Sequence, residues 1–163
     1  MLVSVITVSD RCSKKLCEDK SGPLLVELLS PAAEIGEYIV VPDEKELISA
    51  ELIRLSDEVK SDIIFTTGGT GFAPRDVTPE ATKAVIEKDV PGIPEAIRAK
   101  SLEITPKAML SRATAGIRGK TLIINLPGSP KAVRESLEVV MPVLAHAVET
   151  LSGNTQSCGG NYQ

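Results

Sequence analysis

Short runs rich in Val and Ile alternate with stretches of helical periodicity along most of this chain, and that alternation limits the folds open to it. The runs at 2–8, 38–41 and 63–67 read as strands, and each is followed, directly or after a loop, by apolar residues at helical spacing. Strands and helices that alternate in this way are typical of an open parallel sheet with helices packed on both faces.

The C-terminal third of the chain departs from this alternation. Two further strand-like runs, 113–117 and 121–126, flank the short turn Arg118-Gly119-Lys120, and so short a connection predicts an antiparallel hairpin. We therefore expect an α/β protein, a three-layer α/β/α sandwich around a mostly parallel sheet with one antiparallel hairpin. Residues 1–151 are predicted to form a single domain, and residues 152–163, rich in Gly, Asn, Ser and Gln, a mobile C-terminal tail.

The composition argues against several classes of function. Of the 163 residues, 42% are hydrophobic and 25% are charged, which is ordinary for a globular protein. Aromatic residues make up only 2% and the net charge is −4, so base stacking and attraction to DNA or to anionic membranes are both disfavoured. The sequence has no apolar run of about 20 residues and no secretory signal pattern. We expect a cytoplasmic protein without nucleic-acid or membrane partners.

Residues 66–80 form the most distinctive loop, Thr-Thr-Gly-Gly-Thr-Gly-Phe-Ala-Pro-Arg-Asp-Val-Thr-Pro-Glu. Three glycines within four positions allow the backbone to approach a ligand closely and to expose amide groups that favour phosphate. A flexible turn between a strand and a helix capped by Thr78 is the simpler interpretation. Arg75 and Asp76 favour a phosphate site, because one supplies a cation and the other a candidate metal ligand or electrostatic partner. Alternatively, Asp76 caps the helix that follows or pairs with Arg75. The loop is not a P-loop, since no Gly-Lys-Thr or Gly-Lys-Ser follows.

Other polar loops also follow predicted strands. Asp10 comes after the first strand, and residues 125–130, Asn-Leu-Pro-Gly-Ser-Pro, lie between the last strand and the last helix. Because the carboxyl ends of parallel strands meet at one edge of a sheet, we expect these loops to converge on the glycine loop. Each of these residues also has a simpler interpretation: Asp10 is a solvated carboxylate, and Ser129 is a helix cap. Asp43, after the second predicted strand, forms a capping box with Glu46 in the same kind of interpretation.

A set of motifs runs through 41–44 (Val-Pro-Asp-Glu), 66–83, 109–112 (Met-Leu-Ser-Arg), 116–120 (Gly-Ile-Arg-Gly-Lys) and 122–130. Together with the opening Thr7-Val-Ser-Asp10, these motifs resemble the molybdopterin adenylyltransferase family, and most of all the G domain of gephyrin and its plant relatives. The resemblance covers almost the whole chain. It implies a molybdopterin-binding-like fold and an enzyme of molybdenum cofactor synthesis that transfers AMP from ATP to the terminal phosphate of molybdopterin, with Mg²⁺, and releases pyrophosphate.

The resemblance also implies which residues form the site. Asp43 and Asp76 match the two catalytic aspartates of the family, and we expect them to hold the metal ion. A role as general base suits them less, because a phosphate nucleophile has no proton to lose at neutral pH. The nucleotide-binding residues implied are Asp10, Gly68, Gly69, Thr70, Gly71, Leu126, Pro127, Gly128 and Ser129. The molybdopterin-binding residues implied are Ser101, Ser111 and Arg112, although from the residues alone the serines resemble ordinary helix surface and Arg112 a solvated charge.

The family is trimeric, so the resemblance implies a homotrimer that binds ATP and molybdopterin. It also allows an E-domain protein that inserts molybdenum as a partner. Two other functions stay open: a trimeric scaffold domain, and a pterin-binding relative without adenylyl transfer. The presence of Asp43, Asp76 and the full glycine loop favours the enzyme over the scaffold. Ser101 and Ser111, together with Asp43, distinguish it from the pterin-binding relative better than the glycine loop does.

Overall fold

The computed structural model describes residues 1–153, and within them six strands form one sheet. The strands are β1 (Leu2–Val8), β2 (Glu34–Val41), β3 (Ile63–Thr67), β4 (Lys88–Asp89), β5 (Ala115–Arg118) and β6 (Thr121–Leu126). Their order across the sheet is β2-β1-β3-β6-β5-β4.

Four adjacent strands, β2, β1, β3 and β6, are parallel and end level with one another. In β1, Val8 pairs with Val41 of β2, and Thr7 pairs with Thr67 of β3. Thr67 in turn pairs with Leu126 of β6. The loops that follow these strands therefore leave the sheet at the same edge. The remaining two strands extend the sheet by antiparallel pairing, β5 on β6 and β4 on β5.

Helices cover both faces of the sheet. They are α1 (Asp10–Ser13), α2 (Ser21–Leu29), α3 (Lys45–Asp57), α4 (Thr78–Val85), α5 (Gly92–Leu102) and α6 (Pro130–Leu151), with a 3₁₀ turn at Pro106–Leu110. Apolar residues of α2, α5 and α6 pack on one face, and those of α3 and α4 on the other. Successive residues of β3 point to opposite faces, so Phe65 joins the first core and Ile64 the second. The predicted three-layer fold, mostly parallel with one antiparallel hairpin, is confirmed.

Some local predictions were wrong. The two residues of β4, Lys88 and Asp89, are exposed at the sheet edge and carry no apolar pattern that would have indicated a strand. The strand β2 begins at Glu34 rather than at residue 38. The residues after β1 form the short helix α1, because the Ser9 hydroxyl accepts a hydrogen bond from the Cys12 amide at 3.2 Å and caps it.

Of the three caps predicted at Asp43, Thr78 and Ser129, Ser129 does cap α6, since its hydroxyl accepts from the amide of Ala132 at 3.3 Å, and the other two predictions were wrong. Asp43 does not form a capping box with Glu46, since α3 begins after Glu44 and its N-cap has no side-chain hydrogen bond. Thr78 lies inside α4, whose N-cap is Val77. The Thr78 hydroxyl donates instead to the carbonyl of Gly68 at 2.9 Å, so it holds the glycine loop rather than the helix end.

The predicted tail begins where α6 ends, but residues 154–163 lie outside the described residues. The division of the chain into one domain and a tail stays a prediction. None of the helices within residues 1–153 combines the length and the apolar character that crossing a bilayer requires.

Candidate active site

The two predicted nucleotide loops pack against each other, backbone to backbone. The Thr67 hydroxyl donates to the carbonyl of Pro127 at 2.7 Å, and the amide of Gly68 donates to the carbonyl of Leu126 at 3.3 Å. A Cβ built at Gly128 would lie 3.2 Å from the Cα of Gly68. The loops after β3 and β6 therefore form a continuous surface at the carboxyl edge of the sheet.

Two glycines of the loop are required by the fold itself. Gly68 and Gly69 have φ angles of +102° and +63°, which L-residues rarely adopt. A Cβ built at Gly68 would lie 2.3 Å from the carbonyl oxygen of Val8, and one at Gly69 would lie 2.3 Å from Thr78 Oγ1. Close packing of the loop on β1 and α4 thus explains these glycines even before a ligand is considered.

Asp10 and Asp43 connect the loops after β1 and β2. The amide of Asp10 donates to Asp43 Oδ2 at 2.7 Å, and the amide of Asp43 donates to Asp10 Oδ1 at 3.1 Å. Burial raises the pKa of the Asp43 carboxyl, and the negative charges of Asp10 and Asp76 raise it further, while the hydrogen bond from Asp10 opposes them. Asp43 thus lies among like charges.

Arg75 reaches back from the glycine loop to Asp10. Its Nε and Nη2 atoms donate to the two carboxylate oxygens at 2.9 Å and 2.8 Å, a bidentate pair. These hydrogen bonds hold the pKa of the Asp10 carboxyl below its ordinary value. The Arg75 side chain is 57% exposed, so its cation faces the solvent at the mouth of the site.

Asp43 and Asp76 face the two ends of the glycine run. Asp43 Oδ1 lies 3.1 Å from the position of a Cβ built at Gly69, and Asp76 Oδ2 lies 2.8 Å from one built at Gly71. The same Asp76 oxygen accepts a hydrogen bond from the amide of Ala73 at 2.8 Å, which closes the loop on itself. The two predicted catalytic carboxylates therefore belong to one site, beside the same three residues of backbone.

Arg112 holds the glycine loop in place. Its amide donates to the carbonyl of Thr70 at 3.0 Å, and its Nε donates to the carbonyl of Gly71 at 2.7 Å. The remaining guanidinium nitrogens donate to the carbonyl of Asp76 and to the carboxylate of Glu80. A direct contact between Arg112 and molybdopterin stays a prediction, but its hydrogen-bonding capacity is largely used by the loop.

Ser101 and Ser111 line a cavity of about 280 Å³ next to the glycine loop. Thr70, Gly71 and Pro127 contribute one wall, so the cavity adjoins both nucleotide loops. Pro94, Ile97, Ala108 and Leu110 add apolar surface, and Lys107 adds a cation. The structure thus brings the two predicted serines together beside the glycine loop, in a cavity that combines apolar surface with a cation.

Asn125 is a supporting residue whose role the sequence analysis missed. It is 1% exposed, and its Nδ2 donates to the hydroxyls of Thr66 and Thr82, each at 2.9 Å. Its Oδ1 accepts from the amide of Thr114 at 3.2 Å. An Asn in an otherwise apolar buried strand was the available signal, because a buried amide must find partners. These bonds tie β3, β6 and α4 together beneath the site.

The ends of the parallel strands bear a glycine-rich loop, three carboxylates and an exposed arginine. Such a set of groups is typical of α/β proteins that bind phosphorylated ligands. Within residues 1–153, no group of three or more His, Cys, Asp or Glu side chains is arranged to hold a metal ion alone. A metal ion bound by Asp43 and Asp76 would therefore need further ligands from water or phosphate.

Comparison with known proteins identifies the family. Residues 4–146 match the model of the probable molybdopterin binding domain, so the chain belongs to that family, and the resemblance seen in the sequence is confirmed. The molybdopterin adenylyltransferase of Helicobacter pylori J99 is 49% identical over 93% of this chain and 88% of its own length. Gephyrin of Dictyostelium discoideum is 46% identical over 96% of this chain but only 23% of its own length.

A solved structure agrees with this assignment. The molybdopterin biosynthesis enzyme MoaB from Thermus thermophilus superimposes with a TM-score of 0.88 at 46% identity, covering 93% of this chain and 96% of that one.

Proposed function

We propose that this protein is a molybdopterin adenylyltransferase that transfers AMP from ATP to the terminal phosphate of molybdopterin during molybdenum cofactor synthesis. The observation that carries this proposal is that Asp43 and Asp76 flank the run Gly69–Gly71, at a point where both nucleotide loops adjoin the cavity of Ser101 and Ser111. The names of the relatives support it, because several of them, 43–49% identical to this chain, are named molybdopterin adenylyltransferase.

In this reaction an oxygen of the molybdopterin phosphate attacks the α-phosphorus of ATP. A new phosphorus–oxygen bond forms, and the bond from the α-phosphorus to the bridging oxygen breaks, so pyrophosphate leaves with that electron pair. Two polyanions must meet in line, so the protein has to position them and offset their charge. We propose that two sets of groups position the phosphates and offset their charge: the loop amides from Gly68 to Gly71 and the Arg75 guanidinium.

Mg²⁺ fits the residues of this site. Mg²⁺ in nucleotide sites commonly takes one or two carboxylates and completes its shell with water and substrate phosphates. Asp43 and Asp76 provide such a pair. Burial is the main cause of the raised pKa of Asp43, and the negative charges of Asp10 and Asp76, which a cation would offset, add to it. When bound, the ion would neutralise phosphate charge and favour departure of pyrophosphate. The two aspartates would hold the ion and thereby fix the triphosphate against the glycine loop.

The nucleotide would lie on the loops after β3 and β6, and molybdopterin in the cavity of Ser101 and Ser111. Asp10 would orient Arg75, whose exposed position leaves it free to exchange its partner for a phosphate. Gly128 and Ser129, at the start of α6, would add backbone close to the triphosphate. Arg112 would act on molybdopterin through the loop that it holds.

We also propose a homotrimer that works in the cytoplasm and passes its product to an E-domain partner. The matches to gephyrin and to the molybdenum cofactor synthesis protein cinnamon of Drosophila melanogaster support such a partner, since this chain covers only 23% and 25% of those proteins.

The decisive experiment mixes purified protein with ATP, Mg²⁺ and molybdopterin and measures adenylylated molybdopterin and pyrophosphate. Equal amounts of both products are expected. A trimer that forms neither product would support the scaffold function instead. Binding of molybdopterin without any consumption of ATP would indicate a pterin-binding relative. Omission of Mg²⁺, with a chelator present, tests the metal proposal separately.

A further inference from the structure

A path of hydrogen bonds leads from β2, at one edge of the sheet, to the loop after β6. Tyr38 lies in β2, three residues before that strand ends at Val41, and its hydroxyl donates to Asp19 Oδ2 at 2.5 Å. The Asp19 carboxylate holds the start of α2, where the Ser21 hydroxyl donates to the carbonyl of Gly128 at 2.8 Å. Gly128 belongs to a proposed nucleotide loop, whereas Tyr38 lies outside both of these loops.

Asp19 joins the two halves of this path. Its Oδ1 accepts from the amides of Ser21 and Gly22 at 2.9 Å and 3.1 Å, which fixes the first turn of α2. The side chain of Lys20, the N-cap of that helix, makes no capping hydrogen bond, so Asp19 takes the capping role. The position of the Ser21 hydroxyl therefore depends on the carboxylate that Tyr38 holds.

The middle of the path is tightly packed. A Cβ built at Gly22 would lie 2.4 Å from both Thr7 Oγ1 and Tyr38 Cε2. It would lie 2.6 Å from Asp19 Oδ2. Ser21 beside it is only 5% exposed. Since groups packed this closely have little room to rearrange, a change at Tyr38 is passed on to the start of α2.

The protonation states fix the direction of each bond. Burial and the neighbouring Asp19 carboxylate raise the pKa of the Tyr38 hydroxyl, so it stays protonated and donates. Burial acts to raise the pKa of Asp19, but the hydroxyls of Thr7 and Tyr38 and the amides of α2 outweigh burial and lower the pKa. Asp19 is therefore ionised near pH 7 and accepts each of these bonds.

The far end of the path rests on the glycine loop. A Cβ built at Gly128 would lie 3.2 Å from the Cα of Gly68, so a shift of one loop displaces the other. Resting on the adenylyltransferase function proposed above, we infer that Tyr38 is a positioning residue for ATP. Through Asp19 and Ser21 it holds the backbone of Gly128 in the place where the nucleotide binds.

The test measures kcat and the KM for ATP in Ser21→Ala, in Tyr38→Phe and in the double variant. Loss of one hydrogen bond predicts a KM about 3- to 10-fold higher in Ser21→Ala and about 2- to 5-fold higher in Tyr38→Phe. The kcat should stay within about twofold of the wild type, because Asp43 and Asp76 are held by separate hydrogen bonds.

The double variant decides whether Tyr38 acts through Ser21. If it does, Tyr38→Phe adds nothing once the Ser21 hydroxyl is gone, so the double variant should have the same KM as Ser21→Ala. Hydrogen exchange reports on the loop without any turnover. Exchange at the amides of Gly128 and Ser129 should speed up in all three variants.

Ser56→Ala is the matched control. Ser56 is 6% exposed and, like Ser21, donates from its hydroxyl to a backbone carbonyl, here that of Leu52 at 2.7 Å within α3. A general loss of stability should appear in this variant too. Its KM for ATP and its exchange at Gly128 should nevertheless equal those of the wild type.

The effects of Tyr38→Phe and Ser21→Ala on KM would multiply in the double variant if Tyr38 acted independently, and that result would overturn the inference. An equal rise of KM in Ser56→Ala would overturn it too, because lost stability alone would then explain the effect. An unchanged KM in Ser21→Ala would remove the role of the path and leave the adenylyltransferase function intact. If the wild type formed no adenylylated product, the proposed function would fail, and the role given to Tyr38 with it.

Discussion

Asp10 and Asp43 each accept a hydrogen bond from the other's backbone amide, although 33 residues separate them in the chain. Their carboxyl groups nevertheless have opposite pKa shifts. Arg75 lowers the pKa of Asp10, whereas burial and the neighbouring negative charges raise the pKa of Asp43. The site thus has one carboxylate whose charge an arginine neutralises and one whose negative charge is disfavoured by its surroundings.

The opposite shifts predict opposite effects on stability. Folding raises the pKa of Asp43, so between about pH 4 and the raised pKa the folded chain keeps a proton that the unfolded chain has lost. The free energy of unfolding therefore falls as the pH rises through this range. Asp43→Asn keeps an acceptor for the Asp10 amide and removes the charge. At pH 7 without metal, we expect this variant to melt a few degrees above the wild type, and the gain to vanish below pH 4.

Asp10→Asn is the matched control for that measurement. Folding lowers the pKa of Asp10, so its ionised form stabilises the protein above pH 4, and the benefit is lost as the pH falls through the lowered pKa. This variant should melt below the wild type at pH 7. The measurement is the melting temperature of both variants and of the wild type across pH 3–8. If both substitutions shifted the melting temperature in the same direction at pH 7, the charge arrangement described here would be contradicted.

Asp76→Asn tests the proposed chemistry. The amide oxygen can still accept from Ala73, so the loop should keep its shape, but one ligand of the cation is weakened. We expect the rate of AMP transfer to fall by roughly 10²–10³ with molybdopterin binding unchanged. Asp57→Asn, at the far end of α3 and paired with Arg118, should react at the wild-type rate. Full activity in Asp76→Asn would remove Asp76 from the mechanism.

The sequence predicted the sheet far better than the contacts of the site. Short apolar runs such as 63–67 are a local pattern, and so is their alternation with helical periodicity, from which a parallel sheet follows. The bonds between Asp10 and Asp43, or between Arg112 and Gly71, join residues 33 and 41 positions apart, and no local pattern encodes them. A capping box was the simpler interpretation of Asp43 because its spacing to Glu46 fits one, but its carboxylate accepts from the distant Asp10 amide instead.

Gly69→Ala tests how much of the glycine loop is structural. Gly69 and Gly119 both have positive φ, +63° and +56°, but a Cβ at Gly119 would meet nothing within 4 Å. Gly119→Ala should therefore cost about 1–2 kcal/mol from backbone strain alone. Gly69→Ala should cost clearly more, because its Cβ would collide with Thr78 Oγ1. Urea unfolding of both variants measures the difference, and equal costs would contradict the packing described for the loop.

Arg112→Lys separates a contact with molybdopterin from support of the loop. A lysine cannot reproduce the bonds that Arg112 makes to Gly71, Asp76 and Glu80, since it lacks the planar fork of donors. If Arg112 acts by holding the loop, AMP transfer should fall about 10- to 100-fold while the Kd for molybdopterin stays within about twofold. Hydrogen exchange at residues 70–76 should speed up at the same time.

Arg118→Lys is the matched control for that experiment. Like Arg112, Arg118 donates three side-chain hydrogen bonds, here two to the Asp57 carboxylate and one to the carbonyl of Val85. It pairs with Thr121 at the start of β6, so it lies at the edge of the sheet opposite the glycine loop. It should lose a comparable set of bonds and some stability without slower transfer or faster exchange in the loop. A Kd for molybdopterin that rises in Arg112→Lys, with unchanged exchange at 70–76, would instead indicate direct contact between Arg112 and the substrate.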